Sequence, residues 1–356
     1  MNSISSVTKK LSLLFEAAGF KKYKMRKFEE YSLYLENKSF LTSEYVITFN
    51  DLSGKLLALK PDVTLSIVKN TKASPDSREK LYYRESVYRL DSRTHEYKEI
   101  DQFGMEILGD IDSAATLEVI SLAKGTLAQT ERASSLCISH MGFMSALLDF
   151  AAGDNFFLRE KLTDCVKMKN THDMQAIFAQ FNVSGERKEK FIAANCISGN
   201  FEASLEALYE LNIPESKASL DELCELYTNL KACSLEKGIT LDLSIITDTD
   251  YYNGIVFQGF IEGIHKNILS GGRYDKLAGK FREGIGAMGF AVYISELAAL
   301  TDLRQFDCDV LLLYKESSQP SEVLSTAQAL RAEGLSVRIE KTVPEALRYK
   351  ELREVE

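Results

Sequence analysis

The sequence predicts an α+β protein: an antiparallel sheet flanked by helices, with a helical insertion and a short C-terminal α/β segment. Three observations carry that class. Residues 81–110, LYYRESVYRLDSRTHEYKEIDQFGMEILGD, read as two long strands around a polar tip. Residues 155–237 carry a purely helical pattern, broken by turn signals at Asn182-Val183-Ser184-Gly185 and Asn212-Ile213-Pro214. Strand signals then return at ITLDLSII, GIVFQGF, KNILSGG and IGAMGFAV. No GxGxxG follows a strand and no GxxxxGKS/T occurs, so neither a Rossmann nor a P-loop nucleotide site is supported.

Taken in order, the chain opens with an amphipathic helix. Val7, Leu11, Leu14, Phe15 and Ala18 share one face, and Gly19 is placed to cap the end. A strand and a short helix are expected between Lys24 and Leu35. VITFNDLSGKLLAL alternates apolar and polar residues around an Asp-Leu-Ser-Gly turn, which predicts a hairpin. Pro61 is expected to start a helix with Asp62 in its first turn, where the dipole favours a carboxylate. After the long hairpin, Ala114–Gln129 is helical, and CISHMGF leads into a further helix. The 155–237 stretch reads as a self-contained helical unit, with Phe156, Phe157, Leu158, Phe178, Phe181 and Leu208 packing its core. The end of the chain, from DVLLLY to LSVRIE, reads as strand–helix–strand. The expected organisation is a core over 1–300, an insertion at about 150–238, and a truncated α/β segment over 301–356.

Composition narrows the function. Hydrophobic residues make up 45% and charged residues 27%, as in ordinary globular proteins. The net charge of −9 argues against general nucleic-acid binding. There is no signal-peptide core and no apolar run long enough to span a bilayer, so a cytoplasmic chain is expected. The six cysteines (Cys137, Cys165, Cys196, Cys224, Cys233, Cys308) lack metal-ligand spacing and are expected to be reduced and mostly buried. Four scattered histidines leave no case for zinc, and no cofactor is expected.

The chemistry concentrates in the long hairpin. Gln102 and Glu106 lie four positions apart in one strand and therefore on one face of the sheet. A buried carboxylate beside an amide suits a small cationic or amine-bearing ligand. Taken alone, such a pair is as readily a satisfied core network. Likewise the tyrosines of DYYNG and GGRYD read singly as strand packing and a turn into a helix.

Four blocks in one order change that balance: FNDLSGKLLALKPDVT, the long hairpin, TDTDYYNGIVFQGF and SGGRYDKLAGKFREGIGAMGFAV. Together they resemble the catalytic core of class II histidyl-tRNA synthetases, over about Leu11 to Leu297. GFKKYKMRKFEEY resembles the first motif of that family, which forms its dimer interface, although the usual proline is absent. The resemblance implies a histidine pocket. Asp62 and Thr64 would meet the ammonium, Gln102 the backbone of the ligand and Glu106 its imidazole. Tyr251 and Tyr252 of DYYNG and Tyr274 of GGRYD would wall the ring. Gly271 and Gly272 fit close backbone approach to the ligand. Arg89, at the place of the second motif's first arginine, would serve either a vestigial phosphate site or the ligand carboxylate, and the carboxylate is favoured because no other obvious cation remains nearby.

The departures from the family bear on activity. Its R-G-L-D-Y-Y block here reads Thr247-Asp248-Thr249-Asp250-Tyr251-Tyr252, and its terminal G-L-E-R reads Tyr293-Ile294-Ser295-Glu296. Two arginines that would meet ATP are thus a threonine and a glutamate. Losing one such cation costs about 3–4 kcal/mol of transition-state stabilisation. The combination resembles the synthetase-like regulatory subunits of ATP phosphoribosyltransferase, which do no chemistry themselves. That resemblance implies a short-form catalytic subunit as partner, a homodimer, and histidine as ligand. The alternatives are a divergent histidyl-tRNA synthetase or related amino-acid ligase, and a free-standing histidine-binding regulator.

Overall fold

The computed structural model describes residues 4–41, 45–91, 94–246, 251–301 and 306–355. Its contacts divide the chain into two units, Met1–Ala298 and Ala299–Glu356. The first is built on a nine-stranded sheet whose longest strands are the long hairpin near one edge, Arg78–Asp91 paired antiparallel with Glu96–Gly109. Gly286–Tyr293, Leu269–Arg273, Ile255–Ile261 and Ser134–His140 continue the sheet in antiparallel order. Two pairs are parallel: Lys21–Lys22 beside Arg78–Asp91, and Ile239–Asp242 beside Ser134–His140.

Strand alternation sends successive side chains to opposite faces, and the two faces carry different chemistry. One face is aromatic and dry. Phe15 of the first helix, Ile4–Ala17, sits 5.7 Å from Phe103, 5.9 Å from Phe290 and 6.1 Å from Tyr82, ring centre to ring centre. The helix Ser113–Ala128 lies beside it, started by Asp112, whose carboxylate accepts the Ala115 N–H at 2.8 Å. The other face carries Glu106, Gln102 and the polar cavity described below. A second core there gathers Leu33, Tyr34, Val63, Leu65, Ile67, Tyr83, Tyr251, Tyr274 and Leu277.

The expected hairpin forms as Thr48–Asn50 and Leu56–Leu59, joined by Phe28–Glu30 into a three-stranded sheet. Asp51 holds its turn by accepting from the Ser53 and Lys55 amides, and Gly54 takes the left-handed φ of 82°. The helix expected from Pro61 starts later, at Thr64, and runs to Asn70. Asp62 therefore precedes the helix and accepts the Leu65 N–H from outside it.

The stretch 155–237 is neither purely helical nor self-contained. Ser198–Asn200 forms a short edge strand against Ile239–Asp242, and Lys217–Ala232 packs on Ser113–Ala128. The reason is local: Asn200 is needed in extended conformation to cap the helix Phe201–Glu210, and extended residues beside an open sheet edge pair with it. Its core holds Leu158, Phe178 and Leu208, but Phe156 and Phe157 are about 70% exposed. They occupy the first turn after the capping Asn155, while Leu158, Leu162 and Val166 take the inward stripe. Three of the six thiols, Cys196, Cys224 and Cys233, are exposed rather than buried, because they fall on the outer faces and ends of these helices.

The second unit is a parallel three-stranded sheet, with Cys308–Tyr314 between Val337–Glu340 and Tyr349–Val355 and the helix Pro320–Ala332 against it. The last strand was not anticipated. Its sequence, YKELREV, is almost wholly polar and exposed, so no apolar alternation marks it. No described helix is long and apolar enough to cross a membrane, and the described residues contain no cluster of three or more metal-ligating side chains.

Candidate functional site

Register places the site. In the sheet, Glu106 lies between Leu81 and Gly289, and Gln102 lies between Glu85 and Tyr293. Both side chains project into a cavity of about 370 Å³, lined also by Asp62, Thr64, Tyr83, Arg89, Tyr251, Tyr252 and Tyr274. All eight residues expected at the site, Asp62, Thr64, Arg89, Gln102, Glu106, Tyr251, Tyr252 and Tyr274, thus line one chamber. They come from four separate segments.

Glu106 is the centre. It is 2% exposed. Its Oε2 accepts the Tyr274 hydroxyl at 2.6 Å, and its Oε1 accepts the Thr64 hydroxyl at 3.1 Å. Burial pushes its carboxyl up to about 8; the hydrogen bonds from Tyr274, Thr64 and Tyr83 oppose that rise, and the nearby Asp62 carboxylate adds to it. A cationic ligand at this site would meet the acid as its counter-ion and favour its ionised form.

Glycines make room for these groups. A Cβ at Gly289 would stand 1.8 Å from Glu106 Oε2; one at Gly104 would stand 2.4 Å from the Tyr83 ring; one at Gly272 would stand 2.8 Å from Tyr252. Three bare backbone positions on adjoining strands thus let a carboxyl and two phenols lie against the sheet. Gly272 admits Tyr252, and Gly271, where a Cβ would meet Gly289 O at 2.3 Å and Phe290 Cβ at 2.4 Å, lines the cavity with bare backbone.

The aromatic wall is a triad. Tyr251 and Tyr252 lie 4.5 Å apart, and Tyr274 lies 5.7 Å from Tyr251 and 6.4 Å from Tyr252. Burial raises all three phenols, so they remain neutral hydrogen-bonding groups. Tyr83 belongs with them and was not anticipated. The signal was available, since Gly104 stands directly across the hairpin from Tyr83 and leaves its ring uncovered.

Asp62 and Arg89 are already engaged. Arg89 donates from Nε to the Pro61 carbonyl at 2.7 Å and approaches Asp62 Oδ2 at 3.4 Å. Burial raises the Asp62 carboxyl, and the Arg89 guanidinium works against that rise. Arg89 is thus positioned by Pro61 and Asp62 while it lines the cavity. Glu296 lies in the helix Ile294–Thr301, 3.3 Å from Lys266, and does not line the cavity. Thr247, Asp248, Thr249 and Asp250 lie outside the described residues.

A mostly antiparallel sheet carrying a buried carboxylate and a tyrosine wall defines the class II synthetase architecture. The family model for histidyl-tRNA synthetase matches residues 1–297, and the chain belongs to the histidyl-tRNA-synthetase family, in its branch of ATP phosphoribosyltransferase regulatory subunits. The curated relative from Caldanaerobacter subterraneus subsp. tengcongensis, described as such a regulatory subunit, is 30% identical over 92% of this chain and 88% of its own length. A solved structure from Bacillus halodurans, described as an ATP phosphoribosyltransferase regulatory subunit/histidyl-tRNA synthetase, shares the fold with a TM-score of 0.80 over 99% of this chain and 93% of that one, at 23% identity. A chain of the ATP phosphoribosyl transferase complex from Thermotoga maritima superposes with a TM-score of 0.64 over 81% of this chain and 96% of that one, at 17% identity.

Proposed function

We propose that this chain is a non-catalytic regulatory subunit that associates with a short-form ATP phosphoribosyltransferase catalytic subunit. It activates that enzyme and carries feedback inhibition by histidine in the first step of histidine biosynthesis. Histidine occupies the cavity, with its imidazole at Glu106, its ammonium toward Asp62 and Thr64, and its backbone at Gln102. The carrying observation is the cavity around the buried Glu106 together with Glu296 at the place of the family's ATP-binding arginine. A ligand shifts an assembly only through differential affinity for its states, and a deep pocket for a free amino acid supplies that difference. Relatives described as regulatory subunits of the phosphoribosyltransferase support the choice of partner.

A homodimer fits the exposed apolar surface of the small sheet. Phe28 and Phe49 are 45% and 39% exposed and contact each other edge to face at 5.5 Å, on the face of the small sheet that Leu57 and Leu59 share. Phe28 lies within the segment that resembles the family's dimer motif.

The test is reconstitution. Mixed with the short-form catalytic subunit, the tagged chain should co-purify with it, raise its turnover and render it sensitive to histidine. Failure to associate or activate overturns the assignment. The competing synthetase reading predicts histidine-dependent exchange between ATP and pyrophosphate; this chain should show none.

A further inference from the structure

The cavity-facing residues of Gly286–Tyr293 run in order of size. Gly289 has no side chain, Ala291 a methyl and Tyr293 a phenol. The register sets Gly289 beside Glu106 and Tyr293 beside Gln102. The strand is therefore bare at the Glu106 end, where the Glu106 carboxyl lies against it, and carries a ring as a wall at the Gln102 end. The two ends lie roughly 13 Å apart along the strand. The wall is fixed in place. Tyr293 Oη and Ser270 Oγ lie 2.7 Å apart, and Ser270 pairs with Ala291, so the phenol crosses diagonally to the neighbouring strand and closes the trough. An aromatic ring tied at both its backbone and its hydroxyl has little freedom to swing aside.

We infer that Tyr293, braced by Ser270, is a specificity-determining residue that limits the ligand to a free amino acid and rejects one extended at its carboxyl. This rests on the reading above that places the ligand's backbone at Gln102, because only then does its carboxyl point at the wall. A dipeptide, ester or other acyl conjugate would need the space that the ring fills. The same wall serves a sensor well: it would report free histidine and ignore the activated or peptide-bound forms that share its side chain.

Titration calorimetry on the full chain tests this, with L-histidine and the dipeptide L-histidylglycine as probes. Wild type should bind histidine and bind the dipeptide about 100-fold more weakly. In Tyr293→Ala the discrimination should fall to about threefold, and in Tyr293→Phe, which keeps the ring but loses the hydrogen bond to Ser270, it should fall only partway, to about 30-fold, as in Ser270→Ala. Ser270→Ala releases the brace without touching the strand core and should lower the ratio even if Tyr293→Ala fails to fold. Equal affinity of wild type for both probes overturns the inference, as does a ratio unmoved by both Tyr293→Ala and Ser270→Ala. Histidine bound normally with no discrimination sinks this inference alone. No histidine binding by wild type removes the ligand reading and this inference with it.

Discussion

The Glu106 carboxyl combines nearly complete burial with three hydroxyl donors, and its protonation has a measurable consequence. The folded chain keeps a proton up to about pH 8 that the unfolded chain releases near 4.5. A raised acid is a stabilising contribution fully present below the lower value and lost as pH rises through the upper one. Between them, stability should fall by up to ~1.4 kcal/mol per pH unit on account of this group. Glu106→Gln cannot ionise, so it should gain on wild type as pH rises from 5.5 to 8.5; urea unfolding at several pH values reads the difference. An unchanged gap would mean the carboxyl is ionised in the native chain. Glu106→Ala removes the acceptor altogether, and histidine affinity should drop by about 1.5–3 kcal/mol in calorimetry. At this scale much of the site was legible. Gln102, Glu106 and Tyr274 could be placed because strand alternation and short motifs constrain them. The engagement of Arg89 with Asp62 and Pro61 was not, because it depends on where a separate segment crosses the hairpin.

Among the elements, the strand Gly286–Tyr293 matters most for the cavity. A methyl at Gly289 would meet Glu106 Oε2 at 1.8 Å and the Met105 carbonyl at 2.3 Å. The second contact is backbone across a central ladder and cannot move away. Gly289→Ala should therefore cost about 1–3 kcal/mol of stability, seen as a lowered thermal midpoint, together with loss of histidine binding. A stable variant that binds normally would show that the sheet yields there. Element-level reading succeeded where periodicity was strong, as in Ile4–Ala17 and the long hairpin. It failed at Ser198–Asn200 and Tyr349–Val355, which are polar edge segments whose strand character comes from a waiting neighbour and not from their own pattern.

At the scale of the whole molecule, the small sheet presents Phe28 and Phe49 to solvent. An exposed aromatic pair is costly to leave wet, and a second copy of the chain is the occupant proposed above. Phe28→Asp with Phe49→Asp would place charges in that contact. The double variant should elute and scatter as a monomer where the wild type is a dimer, with its secondary structure unchanged. A wild type that is monomeric under the same conditions would remove the dimer from the proposal. The expected assembly with the catalytic subunit is then a further step, tested by reconstitution.

The sequence alone determined the α+β class, the order of the main strands, and the four blocks whose residues line the cavity, because alternation, turn chemistry and residue type are local properties. Only the tertiary structure decided how those blocks close on one another. The chamber is made by glycines on neighbouring strands, by Tyr83 crossing the hairpin, and by Tyr293 leaning onto Ser270. Each depends on which strand lies next to which. That adjacency is a long-range consequence of packing, and no window of sequence contains it.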